Sequence, residues 1–242
     1  MPGIGEVMEG AMQHAPQWGR QFISGGLILS ISPQPFGFKK HTMHAAILTF
    51  DGFNELDSLI APGILNRVKK PGWRVTLCCP QPEVTSMNGV TLRAQSALEE
   101  ARDADAVIVG SGIKTREIAA DPALLGRLGL DPSRQLVGAQ CSGTLILAQL
   151  GLLGKLPACT DLTTKPWVQE AGVEVLNQPF FAQGNVATAG GCLASAYLAA
   201  WVIARTEGRE AAAAALHYVA PVGEKDGYVA NALAHIGRYL PA

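Results

Sequence analysis

The chain lacks a long uninterrupted apolar run: nothing in its 242 residues reaches the ~18 apolar positions that a membrane-spanning helix needs. Charge is scarce as well, with 16% Asp, Glu, Lys and Arg, and 19 basic against 20 acidic residues leave a formal net charge of −1. That balance excludes the basic surface that a nucleic acid or an anionic membrane would require, so the expected partner is a small molecule. Cysteine is sparse and scattered. The five residues Cys78, Cys79, Cys141, Cys159 and Cys192 show no CxxC spacing and no paired histidine, which argues against a disulfide framework and against a zinc site. No metal or cofactor is expected, and a reducing cytoplasm fits best. A basic start followed by a clean apolar core is missing too, so residues 1–42, rich in Gly, Gln, Ser and Pro, read as an N-terminal extension or leader rather than a secretory signal. Residues 43–242 are expected to form a single domain.

What is present is an alternation of strands and helices. His44 to Phe50 is a buried-strand run, and Leu56, Leu59, Ile60, Ile64, Leu65 and Val68 follow it at helical spacing. Trp73 to Cys79 is the next strand, which completes a βαβ unit. Asn88-Gly89 predicts a small hairpin within Thr85 to Arg93. Asp105 to Val109 is another strand, followed by Gly110-Ser111-Gly112 and a helix from Thr115. Farther on, a helix is expected near Lys165 to Ala171, extended pieces at Val173 to Leu176 and Pro179 to Ala182, a strand at Val186 to Ala189, and a long helix from Leu193 to Arg205. Such alternation predicts a mostly parallel sheet covered on both faces, with right-handed crossovers.

The most informative stretch is Arg134 to Gly154. A short apolar strand (Leu136 to Ala139) runs into Cys141, and the helical period begins at Ser142. Gly138, Ala139, Ser142 and Gly143 flank the cysteine with small side chains, as a nucleophile elbow requires. A thiol at a helix start feels unpaired N–H groups, so its pKa is expected to fall. Ligands of open α/β sheets gather at the carboxyl ends of the strands. There the first strand's loop contributes Glu55 and Asp57, and the Gly110-Ser111-Gly112 loop contributes backbone amides. Taken alone, Asp57 is most simply a helix N-cap and the glycine loop a turn. Cys192, at the start of the long helix, is expected behind the sheet.

Four motifs in order, FDGFNELD at 50–57, the glycine loop at 110–112, AQCSGTLILAQLGLL at 139–153 and ATAGG at 187–191, resemble the ThiJ/PfpI superfamily of class I glutamine amidotransferase-like proteins. This is the cysteine-elbow group that includes the parkinsonism-associated deglycase; within it the wording most resembles isonitrile hydratase and the amidotransferase-like domains of some transcription regulators. The resemblance implies a flavodoxin-like three-layer sandwich and a homodimer. It also implies that Cys141 is the nucleophile, that Asp57 is its acidic partner with Glu55 as the fallback, and that the amides of Gly112 and Ser142 form an oxyanion hole beside Ser111. Relatives commonly carry a histidine in a T-T-H pattern after the elbow helix, and here Asp161 stands in that place. An unperturbed aspartate is too weak a base for Cys-His protease or amidase chemistry. His14, His41, His44, His217 and His235 offer no obvious replacement. A carboxyl sharing a proton with a thiol suits a hydratase or lyase, which is the leading expectation. The alternatives are a redox or metabolite sensor without turnover, and a glyoxalase or deglycase activity.

Overall fold

A computed structural model describes residues 42–241; the extension expected at 1–42 lies, but for its last residue, outside them. Seven strands form the central sheet: β1 (Met43–Leu48), β2 (Trp73–Cys79), β5 (Ser96–Ala97), β6 (Ala106–Val109), β7 (Leu136–Gln140), β8 (Phe180–Gln183) and β9 (Val186–Ala189). Their spatial order is β5-β2-β1-β6-β7-β9-β8. Every pairing is parallel except β8 with β9, an antiparallel edge. The remaining strands, β3 (Glu83–Thr85) and β4 (Thr91–Arg93), are the hairpin that Asn88-Gly89 predicts.

Alternation along β1 assigns the two faces. Ala45 and Ile47 pack with α1 (Glu55–Leu65), α6 (Ser195–Glu207), α7 (Arg209–Val219) and α8 (Lys225–Gly237), and Trp201 is the largest fully buried side chain on that side. Ala46 and Leu48 face the opposite cluster, built with α2 (Thr115–Ala119), α3 (Pro122–Leu128), α4 (Gly143–Gln149) and α5 (Lys165–Glu170). Residues buried on both faces are what a parallel sheet between two helical layers demands. The result is the expected flavodoxin-like α/β sandwich. No described helix is long and apolar enough to cross a membrane.

Three expectations shift. Val173 to Leu176 forms no strand; only an isolated bridge joins Val175 to Ala158, because the segment lies outside the sheet. The helix from Thr115 is broken at Asp121, whose carboxylate accepts from the amides of Ala123 and Leu124 and starts α3 at Pro122. Asp57 is not the N-cap of α1 either. Asn54 caps it, its side chain accepting from the Leu56 amide at 3.0 Å, which leaves Asp57 in the first turn and fully buried.

The topology places the site. α4 leaves the end of β7 on one face of the sheet while α6 follows β9 on the other. The carboxyl ends of these neighbouring strands, and of β6 and β1 beside them, are therefore left uncovered between departing helices, as at the crevices of open α/β sheets.

Candidate active site

Cys141 is the first residue after β7 and has φ +46°; among the described residues it is the only non-glycine with positive φ. Such a conformation costs about 1–3 kcal/mol and persists only where surroundings enforce it. Here three hydrogen bonds do. The Cys141 amide donates to Ala189 O at 2.8 Å, Thr160 Oγ1 donates to Cys141 O at 2.8 Å, and the Thr144 amide reaches the same carbonyl at 3.2 Å. The elbow read from the sequence is thus a strained turn pinned between β9, α4 and the segment after it.

Asp57 projects into the same space from α1. Its Oδ2 accepts a short hydrogen bond from Ser111 Oγ, and its Oδ1 lies 3.4 Å from Gln140 Nε2. Gln140 Nε2 is also 3.3 Å from Cys141 Sγ and 2.9 Å from Gly191 O, so one buried amide joins the carboxylate, the thiol and the loop after β9. These contacts converge in a cleft of about 380 Å³ whose lining includes Asn54, Ser111, Ser142, Asp161 and Trp167.

The loops supporting this cleft are stitched together by backbone. The Asn54 amide donates to Ser111 O and the Ile113 amide to Gly52 O, both at 2.9 Å. Gly112 stands so close to the first loop that a Cβ would sit 2.3 Å from Gly52 O, and only glycine allows that approach.

The structure corrects four expectations. Glu55 is not a fallback acid: it faces away from the cleft, holding Ser86 and Asn88. The Gly112 amide is already engaged at 3.2 Å by both Thr115 Oγ1 and Ser142 Oγ, hydroxyls that lie 2.7 Å apart, so it does not stand open as an oxyanion donor. Ser142 N–H remains at the start of α4, ahead of the first intrahelical bond. The thiol's pKa does not fall. Burial, and after it the charge of Asp57, push Cys141 far above its ordinary value. The helix-start effect is outweighed because α4 is short and the cleft buries the sulfur beside a carboxylate. Finally, Cys192 is not behind the sheet. It opens the turn after β9, a second elbow-like position, and its sulfur, the Cys141 sulfur and an Asp57 oxygen all lie within 4.8 Å of one another. Register explains this: Gln140 of β7 pairs with Ala189 of β9, which brings both strand-to-helix turns to one level. The ATAGG motif at 187–191 was the signal, since a glycine pair closing a strand marks a second such turn.

Asp161, at the position where relatives carry histidine, lines the cleft but spends Oδ1 on the amides of Thr163 and Thr164, each at 2.9 Å. Among the described residues, the lining holds two carboxyl groups and two thiols but no Lys, Arg or His.

A doubly wound sheet with a cysteine held at positive φ on a strand-to-helix turn, opposed by a buried carboxyl, defines a flavodoxin-like protein of the cysteine-elbow class. The chain belongs to the DJ-1/PfpI family, whose family model matches residues 43–205. No curated protein sequence matches it. Among solved structures it is similar to Schizosaccharomyces pombe DJ-1, with 16% identity and TM-score 0.64 over 74% of this chain and 100% of that one. It is also similar to a ThiJ/PfpI family protein from Pseudomonas syringae (18%, TM-score 0.65, 82% and 87%) and to Drosophila melanogaster DJ-1beta (17%, TM-score 0.65, 74% and 97%). At these identities the likeness is one of fold.

Proposed function

We propose that the protein is a small-molecule enzyme of the hydratase or lyase type, in which Cys141 adds covalently to an electrophilic carbon and Asp57 moves the proton. The observation that carries this reading is a buried carboxylate and an elbow thiol joined by the Gln140 amide, with no imidazole among the described lining residues. Burial and the neighbouring Asp57 charge keep the proton on the Cys141 sulfur in the resting state. An isonitrile is the matching substrate class. The sulfur adds to its terminal carbon, and the thiol's proton passes through Asp57 to that carbon, giving a thioimidate. Water then adds, with Asp57 accepting one of its protons and returning it to nitrogen; the C–S bond breaks as the hydroxyl becomes the formamide carbonyl, and Asp57 carries the hydroxyl proton back to the departing sulfur, restoring the thiol. The net change is the addition of one water.

The test is incubation of reduced protein with alkyl and aryl isonitriles, followed by formamide detection and intact mass. Formamide from wild type and none from Cys141→Ser supports the reading. A product from methylglyoxal instead would favour the glyoxalase or deglycase alternative. A second reading, a sensor without turnover, draws on the absence of a histidine base among the described lining residues; the upward push on the buried Cys141 thiol weighs against it, because oxidation follows the thiolate. The sensor reading predicts peroxide-dependent oxidation of Cys141 without conversion of either substrate class. We further infer a homodimer, supported by Leu56 and Leu59 left exposed on α1. Sedimentation at micromolar concentration showing only a 25.4 kDa species refutes it.

A further inference from the structure

The geometry points to a second use of the cleft: we propose that Asp57, Cys141 and Cys192 form a binding site for one thiophilic metal ion of the zinc class. Three donor atoms from three separate elements, α1, the β7 elbow and the turn after β9, lie within 4.8 Å of one another. Asp57 and Cys141 are buried, whereas Cys192 is half-buried on the cleft side. A tetrahedral ion with Zn–S near 2.3 Å and Zn–O near 2.1 Å holds such donors about 3.6–3.8 Å apart. Small rotations about the cysteine Cα–Cβ bonds close that difference.

The surroundings are those of a site built for positive charge. Two carboxyl groups and two thiols share the cleft, with no Lys, Arg or His among the described lining residues to balance an anion there. Supporting donors are already aimed at the three ligands. Ser111 Oγ holds Asp57, Asn54 Nδ2 lies 3.5 Å from Cys192 Sγ, and Gln140 Nε2 reaches both Asp57 and Cys141. Such contacts orient metal ligands and stabilise them as anions. A further observation comes from Gln140, whose Oε1 is buried without a hydrogen-bond partner among the described residues. That oxygen is an unpartnered acceptor on the same amide whose nitrogen touches Asp57 and Cys141.

Sulfur donors select zinc, cadmium or cuprous copper over magnesium or calcium. Three protein ligands facing an open cleft leave a fourth position for water, the pattern of sites that are not purely structural. Binding replaces two S–H protons with one divalent ion, so it releases two protons and weakens in acid. Occupancy would also tie up Cys141. The proposal does not depend on the hydratase reading, because its readout is the metal itself.

Cadmium is the probe. Full-length protein, kept reduced with a phosphine and stripped of metal by a chelator, is titrated with Cd²⁺ while the thiolate-to-cadmium charge-transfer band is followed. One equivalent is expected, with zinc displacing it competitively. Removing a supporting group typically costs about 10–100-fold in metal affinity, so Cys141→Ser or Cys192→Ser should cost at least that. Cys159→Ser should leave affinity unchanged. A measurement on wild type needs no variant to fold: zinc should protect Cys141 and Cys192 together from iodoacetamide, as read by peptide mapping. Absence of the band, or protection confined to Cys78 and Cys79, overturns the proposal. So does an affinity unchanged in Cys192→Ser.

Discussion

At the residue scale, the central quantity is the proton on Cys141. Burial raises the thiol's pKa first and the carboxylate of Asp57 raises it further. Replacing Asp57 by Asn removes that anion while keeping a side chain able to donate to sulfur. The thiol pKa should therefore fall, and each unit gives about tenfold more thiolate at any pH below it. Iodoacetamide labelling of Cys141 at pH 8 should accordingly become faster in Asp57→Asn. Turnover should move the opposite way, by about 10²–10⁴-fold, because the transferable proton is gone. Labelling and turnover falling together would instead make Asp57 a structural residue. Cys141 and Asp57 were legible in the sequence because each belongs to a local motif: strand, elbow and helix for one, the FDGFNELD loop for the other. Gln140 was not, and for Cys192 the ATAGG motif marked a turn without showing its nearness to Cys141. Their place depends on the register of β7 against β9, which connects positions 51 residues apart for Gln140 and Gly191, and no local pattern carries such a distance.

At the scale of elements, the site depends on how closely α4 approaches β6. A Cβ on Gly143 would lie 2.6 Å from both Val109 O and Gly110 O, and these backbone atoms cannot turn aside as a side chain could. Gly143→Ala should push the start of α4 away from β6 and turn the elbow with it. We expect a loss of about 1–3 kcal/mol in urea unfolding, the usual cost of overpacking. Activity should fall with little change in overall helicity by circular dichroism. A variant of wild-type stability and activity would show that the contact relaxes without moving Cys141. The strands that bear the site were readable because buried parallel strands are short, apolar and bounded by Gly or Asp. Helix boundaries were less so. The run from Thr115 splits where Asp121-Pro122 restarts it, and the long helix near Leu193 begins as a 3₁₀ turn at Cys192–Ala194. Both are decided by capping and by the approach of neighbouring loops rather than by periodicity.

At the scale of the whole molecule, α7 and α8 lie beyond the family match yet complete one core face. Leu216 and Ile236 are fully buried there, and each such side chain contributes about 1.5–3 kcal/mol. Their sum is comparable with the lower end of a domain's total stability of about 5–15 kcal/mol. Truncation after Glu207 should therefore abolish a cooperative thermal transition, and a sharp transition in the truncated chain would show that α6 stands without this cover. Four buried thiols make a final prediction about pH. Burial raises Cys78, takes Cys79 to about 11 and Cys159 to about 12, and raises Cys141 as well. A thiol whose folded pKa exceeds its unfolded value stays neutral in the native state while the unfolded chain ionises and releases protons. Stability from such groups is complete below the unfolded pKa near 9 and is lost as pH climbs toward the folded values. For Cys79, a rise from 9.0 to about 11 corresponds to roughly 3 kcal/mol once pH exceeds both values, at about 1.4 kcal/mol per unit. Urea midpoints measured under reducing conditions should thus be steady between pH 7 and 8.5 and drop steeply between 9 and 11. Cys79→Ala should start lower, through lost packing, and fall less across that interval. An equal fall in both proteins would assign the alkaline loss to other groups.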